Sequence, residues 1–244
     1  MGEYDARTYG RIWAEEYDRI FPEADPAQID LLASLAGDPP KALELAIGTG
    51  RLALPLRERG VEVSGIDISE EMVAKLREKP GGEAMEVVLS DFADVEVDGK
   101  FPLIYLAFNT LFGLLTQERQ MMCFANVADH LEPGGSFVID CFVPDMTRFD
   151  KFNTRAGVFT REEEPGLELT VHQPAAQRVR STIVRFLDEG TRRLPVEIRY
   201  SWPAELDLMA RLAGLALEER WEWYDKTPFT DASTRHVSVY RKPG

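Results

Sequence analysis

The sequence is poor in cysteine, in histidine and in positive charge. Two cysteines in 244 residues, Cys123 and Cys141, cannot build a disulfide framework; both stand in apolar segments, so buried free thiols in a reducing cytoplasm are expected. Three histidines, His130, His172 and His236, leave few candidates for proton transfer near neutral pH. Lys and Arg number 28 against 42 Asp and Glu, a formal charge of −14, which argues against nucleic acid or an acidic membrane as partner. No apolar run approaches the length of a membrane span. Met1-Gly2-Glu3-Tyr4-Asp5 lacks the basic-then-apolar layout of a secretory signal, and the myristoylation pattern that Met1-Gly2 opens is not completed. Repeats and low-complexity tracts are absent. The charge run Arg161-Glu162-Glu163-Glu164 reads as a solvated loop.

What is present is a 44% apolar composition, enough to bury the core of one sizeable α/β domain with an inserted unit. Tyr9, Trp13, Tyr17 and Ile20 or Phe21 recur at helical spacing up to Pro22, and a second helix is expected over 26–36. From Lys41 short apolar strands alternate with helices: strands near 42–46, 61–66, 85–89, 101–107 and 136–140, and helices over 51–59, after the cap Ser69, and over 117–131. That alternation predicts a doubly wound, mostly parallel sheet. Beyond Pro144 the rhythm breaks, and Leu194, Val196, Ile198 and Tyr200 alternate with charged residues as in antiparallel strands. A helix opened by Pro203 and closed by Gly214, then two strands near 217–223 and 236–241, complete the chain. The division expected is a helical cap over 1–40, a Rossmann-like core over 41–145, an antiparallel insert over 146–202, and a completing helix and hairpin over 203–244. The insert leaves from the carboxyl end of a parallel strand, where open α/β sheets bind ligands, and so is placed as a lid.

The informative stretch is Glu44-Leu45-Ala46-Ile47-Gly48-Thr49-Gly50, which closes a strand and opens a helix. Glycines there permit a tight turn and a close ligand approach. Gly48-x-Gly50-x-x-Ala53, with Asp67 nineteen positions after Gly48, formally satisfies the dinucleotide fingerprint, so an NAD(P)-dependent oxidoreductase is the competing reading. Two features oppose it. Glu44 sits just before the turn, where an anionic pyrophosphate would want amides rather than a carboxylate. A further carboxylate, Asp91, follows the third strand, giving three acids near successive strand tips.

In this ordered combination the chain resembles the class I S-adenosylmethionine-dependent methyltransferases, most strongly over residues 40–141. The resemblance implies that Glu44, Ala46, Gly48 and Gly50 form the first cofactor motif, with Ala46 in place of the commonest first glycine. Asp67 would accept the ribose hydroxyls and Ile68 pack on adenine, while Asp91 takes the adenine amino group and Phe92 stacks nearby. Leu131-Glu132-Pro133-Gly134-Gly135 resembles the loop before the fifth strand. In layout the chain is most similar to the small-molecule members that N,N-dimethylate nucleotide-linked amino sugars, which implies a cofactor contact for Tyr17.

Methyl transfer from a sulfonium gains much of its rate from orientation, about 7–11 kcal/mol, so no metal is expected. At the end of the fourth strand, where metal-dependent members place an aspartate, the chain reads Ala107-Phe108-Asn109-Thr110, and it lacks the Asp/Asn-Pro-Pro-aromatic motif of enzymes that modify nucleic-acid bases. Phe108 is expected to flank the cofactor methyl, with Asn109 and Phe112 on the acceptor side. Tyr4, Tyr9 and Trp13 are expected to close the acceptor site, His172 or His236 to take a proton, and His130 to serve a helix end. The expected acceptor is a small-molecule amine or hydroxyl; association as a homodimer stays open. A methyltransferase-like protein that holds the cofactor without transferring methyl is a third reading.

Overall fold

The computed structural model describes residues 6–94, 97–161, 164–188 and 190–244. Tyr4 and the rest of the opening segment, as well as Glu162 and Glu163 of the charge run, lie outside the described residues. Arg161 and Glu164, the other two members of that run, pair across strand ends rather than standing in a loop.

The parallel strands form where the sequence is apolar on both faces, as strands covered by helices on two sides must be. They are β1 (Lys41–Leu45), β2 (Glu62–Asp67), β3 (Glu86–Leu89), β4 (Phe101–Leu106) and β5 (Leu131–Phe142). With the antiparallel pair β10 (Ala216–Trp221) and β11 (Arg235–Arg241), they make a seven-stranded sheet in the order β10-β11-β5-β4-β1-β2-β3. The order reverses between β1 and β4, so a crevice opens at the carboxyl ends of those two strands. One face of the sheet buries Leu43, Ile104, Phe124 and Phe137, the other Ala42, Leu56, Leu103 and Tyr105. β5 begins earlier than its apolar run, because Leu131 already pairs with Phe101 before a register shift brings Ser136 opposite Leu103.

The helices start where side chains satisfy their free N–H groups. In α3 (Pro26–Leu35) Asp25 and Gln28 form a reciprocal capping box. Ser69 Oγ accepts the Met72 N–H at 3.1 Å ahead of α5 (Glu70–Arg77), and Thr116 does the same for α6 (Gln117–His130). Helix α4 (Ala53–Glu58) follows the glycine turn, and α7 (Pro203–Leu212) opens on its proline. No helix among the described residues is long and apolar enough to cross a membrane.

The aromatic stripe near the N-terminus is not one helix. It breaks into α1 (Ala6–Trp13) and α2 (Tyr17–Ile20). At the break Glu16 turns inward, 7% exposed. Its carboxylate receives Arg185 at 2.6 Å and also Arg192. Those arginines belong to the insert, an antiparallel meander of β6 (Thr154–Arg161), β7 (Glu164–Gln173), β8 (Arg178–Leu187) and β9 (Gly190–Arg199). Trp13, Met72 and Leu194 share a small core, which places α1 between α5 and the insert.

Gly10 makes this docking tight. A Cβ there would lie 2.1 Å from Ser69 Oγ and 2.3 Å from Ser69 Cβ, far inside contact distance. Gly10→Ala should therefore loosen α1 while the sheet stays folded: limited proteolysis ahead of Tyr17 should speed up about tenfold or more, the local-opening response of a weakened segment. Unchanged cleavage kinetics would refute the tight seat.

Candidate functional site

A cavity of about 420 Å³ opens over the carboxyl ends of β1, β2, β4 and β5. Its floor comes from the strand tips, one wall from α1 and α2, and its far wall from Val196, Glu197 and Ile198 of the insert.

The glycine turn is wound by alternate left-handed positions. Ala46 has φ 55°, Gly48 57° and Gly50 78°. Ala46, which carries a Cβ, holds a conformation that costs an L-residue roughly 1–2 kcal/mol. A Cβ on Gly48 would have only the Ala46 carbonyl near, at 3.9 Å, so that face of the turn is open to the cavity. Gly50 is different. Its missing Cβ would strike Leu76 Cδ1 at 2.3 Å; it packs the turn against α5 and does not line the cavity, contrary to the expectation from the motif.

Asp67 ends β2 and lines the cavity, 7% exposed. Its Oδ2 accepts the Gly48 N–H at 2.7 Å and its Oδ1 the Ser69 N–H at 2.8 Å. Burial pushes its pKa up, and these backbone donors oppose that push. A carboxylate has about four acceptor sites, so capacity remains on the cavity side. Asp91 also reaches the cavity, pairing with Arg119 at 2.8 Å and accepting the Ala93 N–H at 2.9 Å, with Phe92 beside it.

Glu44 is 5% exposed, and the Tyr105 hydroxyl donates to it at 2.8 Å. Burial outweighs that bond and the nearby Arg51, raising its pKa to about 8. Glu44 thus favours its protonated form at neutral pH. Tyr17 also has its pKa raised by burial, which keeps the phenol neutral.

The β4 end carries two successive left-handed residues, Phe108 at φ 64° and Asn109 at φ 61°. Asp140 straps them down: its carboxylate accepts the Phe108 N–H and its carbonyl the Asn109 N–H at 3.0 Å. Asn109 Oδ1 in turn accepts the Phe142 N–H at 2.6 Å. Phe108 meets Phe21 edge-on at 4.6 Å and Tyr17 at 6.4 Å, while Tyr9 stacks on Trp13 at 5.4 Å.

The cavity therefore brings together Tyr9, Trp13, Tyr17, Glu44, Ala46, Gly48, Asp67, Ile68, Asp91, Phe92, Phe108 and Asn109. Besides Gly50, three expected residues fall outside. Phe112 is fully buried against Phe142, in the core beneath the floor. His172 bonds the Tyr200 hydroxyl at 3.0 Å and stacks on Phe149 within the insert. His236 is enclosed on β11 with Ser238 and Phe229, and burial drives its pKa down to about 3. Neither histidine reaches the reacting space. His130 does serve its helix end, contacting the Asn126 and Val97 carbonyls.

Sequence reasoning missed Arg51, Met72, Phe142 and the insert's Val196 and Ile198. Arg51 lies 5.3 Å from the Phe108 ring centroid and donates to Gln28 at 3.3 Å. The one signal for it was its place directly after the glycine turn.

Comparison with known proteins follows the same geometry. A family model described as a methyltransferase domain matches residues 42–135. The solved structure of the CcbJ methyltransferase from Streptomyces caelestis is 37% identical, with a TM-score of 0.90 over 99% of this chain and 100% of that one. A cypemycin N-terminal methyltransferase from Streptomyces sp is 28% identical over 98% of this chain and 99% of its own length. A dTDP-3-amino-3,4,6-trideoxy-alpha-D-glucopyranose N,N-dimethyltransferase from Streptomyces venezuelae is 27% identical over 46% of each chain.

The raised pKa of Glu44 carries a stability consequence. Unfolded, the group ionises at about 4.5, whereas folded it keeps its proton until about 8; the folded state binds the extra proton, so stability falls as pH rises from about 4.5 to 8. Glu44→Gln retains an acceptor for Tyr105 and removes the titration. At pH 8 it should melt about 3 °C or more above the parent, the response to roughly 1 kcal/mol in a chain of this size, and the gap should close toward pH 5. A difference that does not vary with pH would contradict the buried, protonated acid.

Proposed function

This chain belongs to the S-adenosylmethionine-dependent methyltransferase family, and on that premise we propose that it N-methylates a small-molecule amine without a metal. The observation that carries the reading is the gathering of Gly48, Asp67 and Asp91 around one cavity. The donor set fits the cofactor. The open face of Gly48 admits a ligand at backbone distance, and Asp67 keeps acceptor capacity for two ribose hydroxyls. Asp91 and Phe92 suit an adenine edge and face, with Ile68 beside them. Glu44 and Arg51 offer opposite charges to the ammonium and carboxylate of an amino acid. Bound there, S-adenosylmethionine supplies a methyl group on a sulfonium, activated for in-line displacement.

The residues of the chain supply position. Phe108 and Tyr17 present aromatic faces to a cation, and Asp140 holds Phe108 at a fixed height. Tyr9, Trp13, Asn109, Val196 and Ile198 bound the acceptor side. An amine rather than a hydroxyl is favoured by what lines the space. No histidine among the described residues does so, and Tyr17 is a poor base with its pKa raised. A neutral amine attacks without losing a proton first; the methylated ammonium sheds its proton to solvent afterwards. A hydroxyl would need a base during the transition state. The N-methylating relatives support the same choice.

Calorimetric titration should show micromolar-range binding of S-adenosylmethionine, on the order of −8 kcal/mol, and none of NAD. Asp67→Asn should weaken the cofactor by about 1.5–3 kcal/mol, the loss of charged hydrogen bonds. Release of S-adenosylhomocysteine should follow addition of small amines but not of matched alcohols. Tighter binding of NAD, or an Asp67 variant with parental affinity, would overturn the assignment.

A further inference from the structure

We infer that the amine acceptor carries no phosphate, and that Glu197 keeps the neighbouring lid arginines from recognising one. The inference rests on the N-methyltransferase reading above and narrows its substrate class. Four acids line the cavity, Glu44, Asp67, Asp91 and Glu197, against a single cation among the described residues, Arg51; Glu44 among them is neutral until a cation lies beside it. Arg51 lies at the floor against Gln28 and the Phe108 ring, where the reading above assigns it to the cofactor's carboxylate.

On the lid side the cations beside the lining residue Glu197 are Arg178 and Arg180 of β8, and both pair with it. Arg178 approaches Glu197 Oε1 at 2.6 Å and Arg180 approaches Oε2 at 3.2 Å. Glu197 is only 4% exposed and stands directly opposite Arg180 in the β8–β9 ladder, so its carboxylate is fixed between the two guanidinium groups. A phosphate meeting these arginines would compete with a carboxylate already bonded to both, in a cavity where Asp67 adds a further acid. A free amine or ammonium meets the opposite field, and Tyr9, Trp13, Val196 and Ile198 give it an apolar surround. A nucleotide-linked amino sugar, the acceptor named for one of the relatives, is mismatched to this lining. An amine in an apolar ring or at a peptide end suits it.

The test uses protein saturated with S-adenosylhomocysteine, so that the nucleoside site is filled. Thymidine diphosphate, titrated as the probe, should give no binding up to about 1 mM, the weak end of measurable affinity. Glu197→Gln should tighten it roughly tenfold or more, and adding Arg178→Gln should reverse that gain, as expected for a charge pair. In turnover, measured as S-adenosylhomocysteine release, the methyl glycoside of an amino sugar should outperform the same sugar linked to thymidine diphosphate. Sub-millimolar binding of thymidine diphosphate by the parent, or preference for the nucleotide-linked amine, would overturn the inference; these parental measurements decide it even if the variants fail to fold. Failure to bind S-adenosylhomocysteine at the outset would instead strike the methyltransferase reading itself.

Discussion

The carboxylate of Asp67 is the interaction on which the cavity depends. It lies at the tip of β2, yet it holds the N–H of Gly48 beyond β1 and the N–H of Ser69 before α5. One side chain therefore joins the two loops that face each other across the floor. Taking a carboxylate out of water is costly unless its oxygens find donors, and here the donors belong to the backbone, which cannot rotate away. The same bonds orient Ser69, whose hydroxyl caps α5 and whose Cβ sits under Gly10 of α1. From a single acid the order propagates to the turn, to a helix start, and to the helix that closes the space.

The opposite side is built by an equivalent device from β5. Asp140 uses its side chain and its carbonyl to hold Phe108 and Asn109 in left-handed geometry, a strained arrangement that persists because several bonds fix it. What Asp67 does for the glycine turn, Asp140 does for the end of β4. The roof is joined to this frame by charge: Glu16, at the break between α1 and α2, is shared with Arg185 and Arg192 of the insert. Segments remote in sequence thus meet over one set of strand tips.

Much of this was legible in the sequence, for a physical reason. A parallel sheet covered on both faces imposes apolar runs at regular spacing, so the strands declare themselves, and acids placed just after such runs must lie at the carboxyl edge. Asp67 and Asp91 could be located in that way, and Glu44 by its place just ahead of the glycine turn. Residues whose direction depends on local winding could not. Gly48 and Gly50 look alike in sequence, but one faces the cavity and the other Leu76. Phe108 and Phe112 are one helical turn apart, and the left-handed pair at 108–109 sends only the first to the cavity. The break after Trp13 was hidden because the aromatic spacing continues through it; its cause, Glu16 meeting arginines more than 160 residues away, is not local. His172 and His236 seemed available only because histidine is rare here, and rarity does not bring a side chain to a site.

Asp67 and Glu44 show how two acids of one cavity can be given different characters. Each is almost wholly buried, and each is pushed toward the neutral form by loss of water. Asp67 receives several backbone N–H groups that strengthen its anion. Glu44 receives one phenol, from Tyr105, and its pKa reaches about 8. The first is in consequence a fixed acceptor, whose geometry is decided by the fold. The second takes its charge from whatever enters, because a cation beside it repays the desolvation that burial alone does not. One acid of the floor is thus held by backbone donors and the other by a single phenol, so it is the second whose charge depends on a cation beside it.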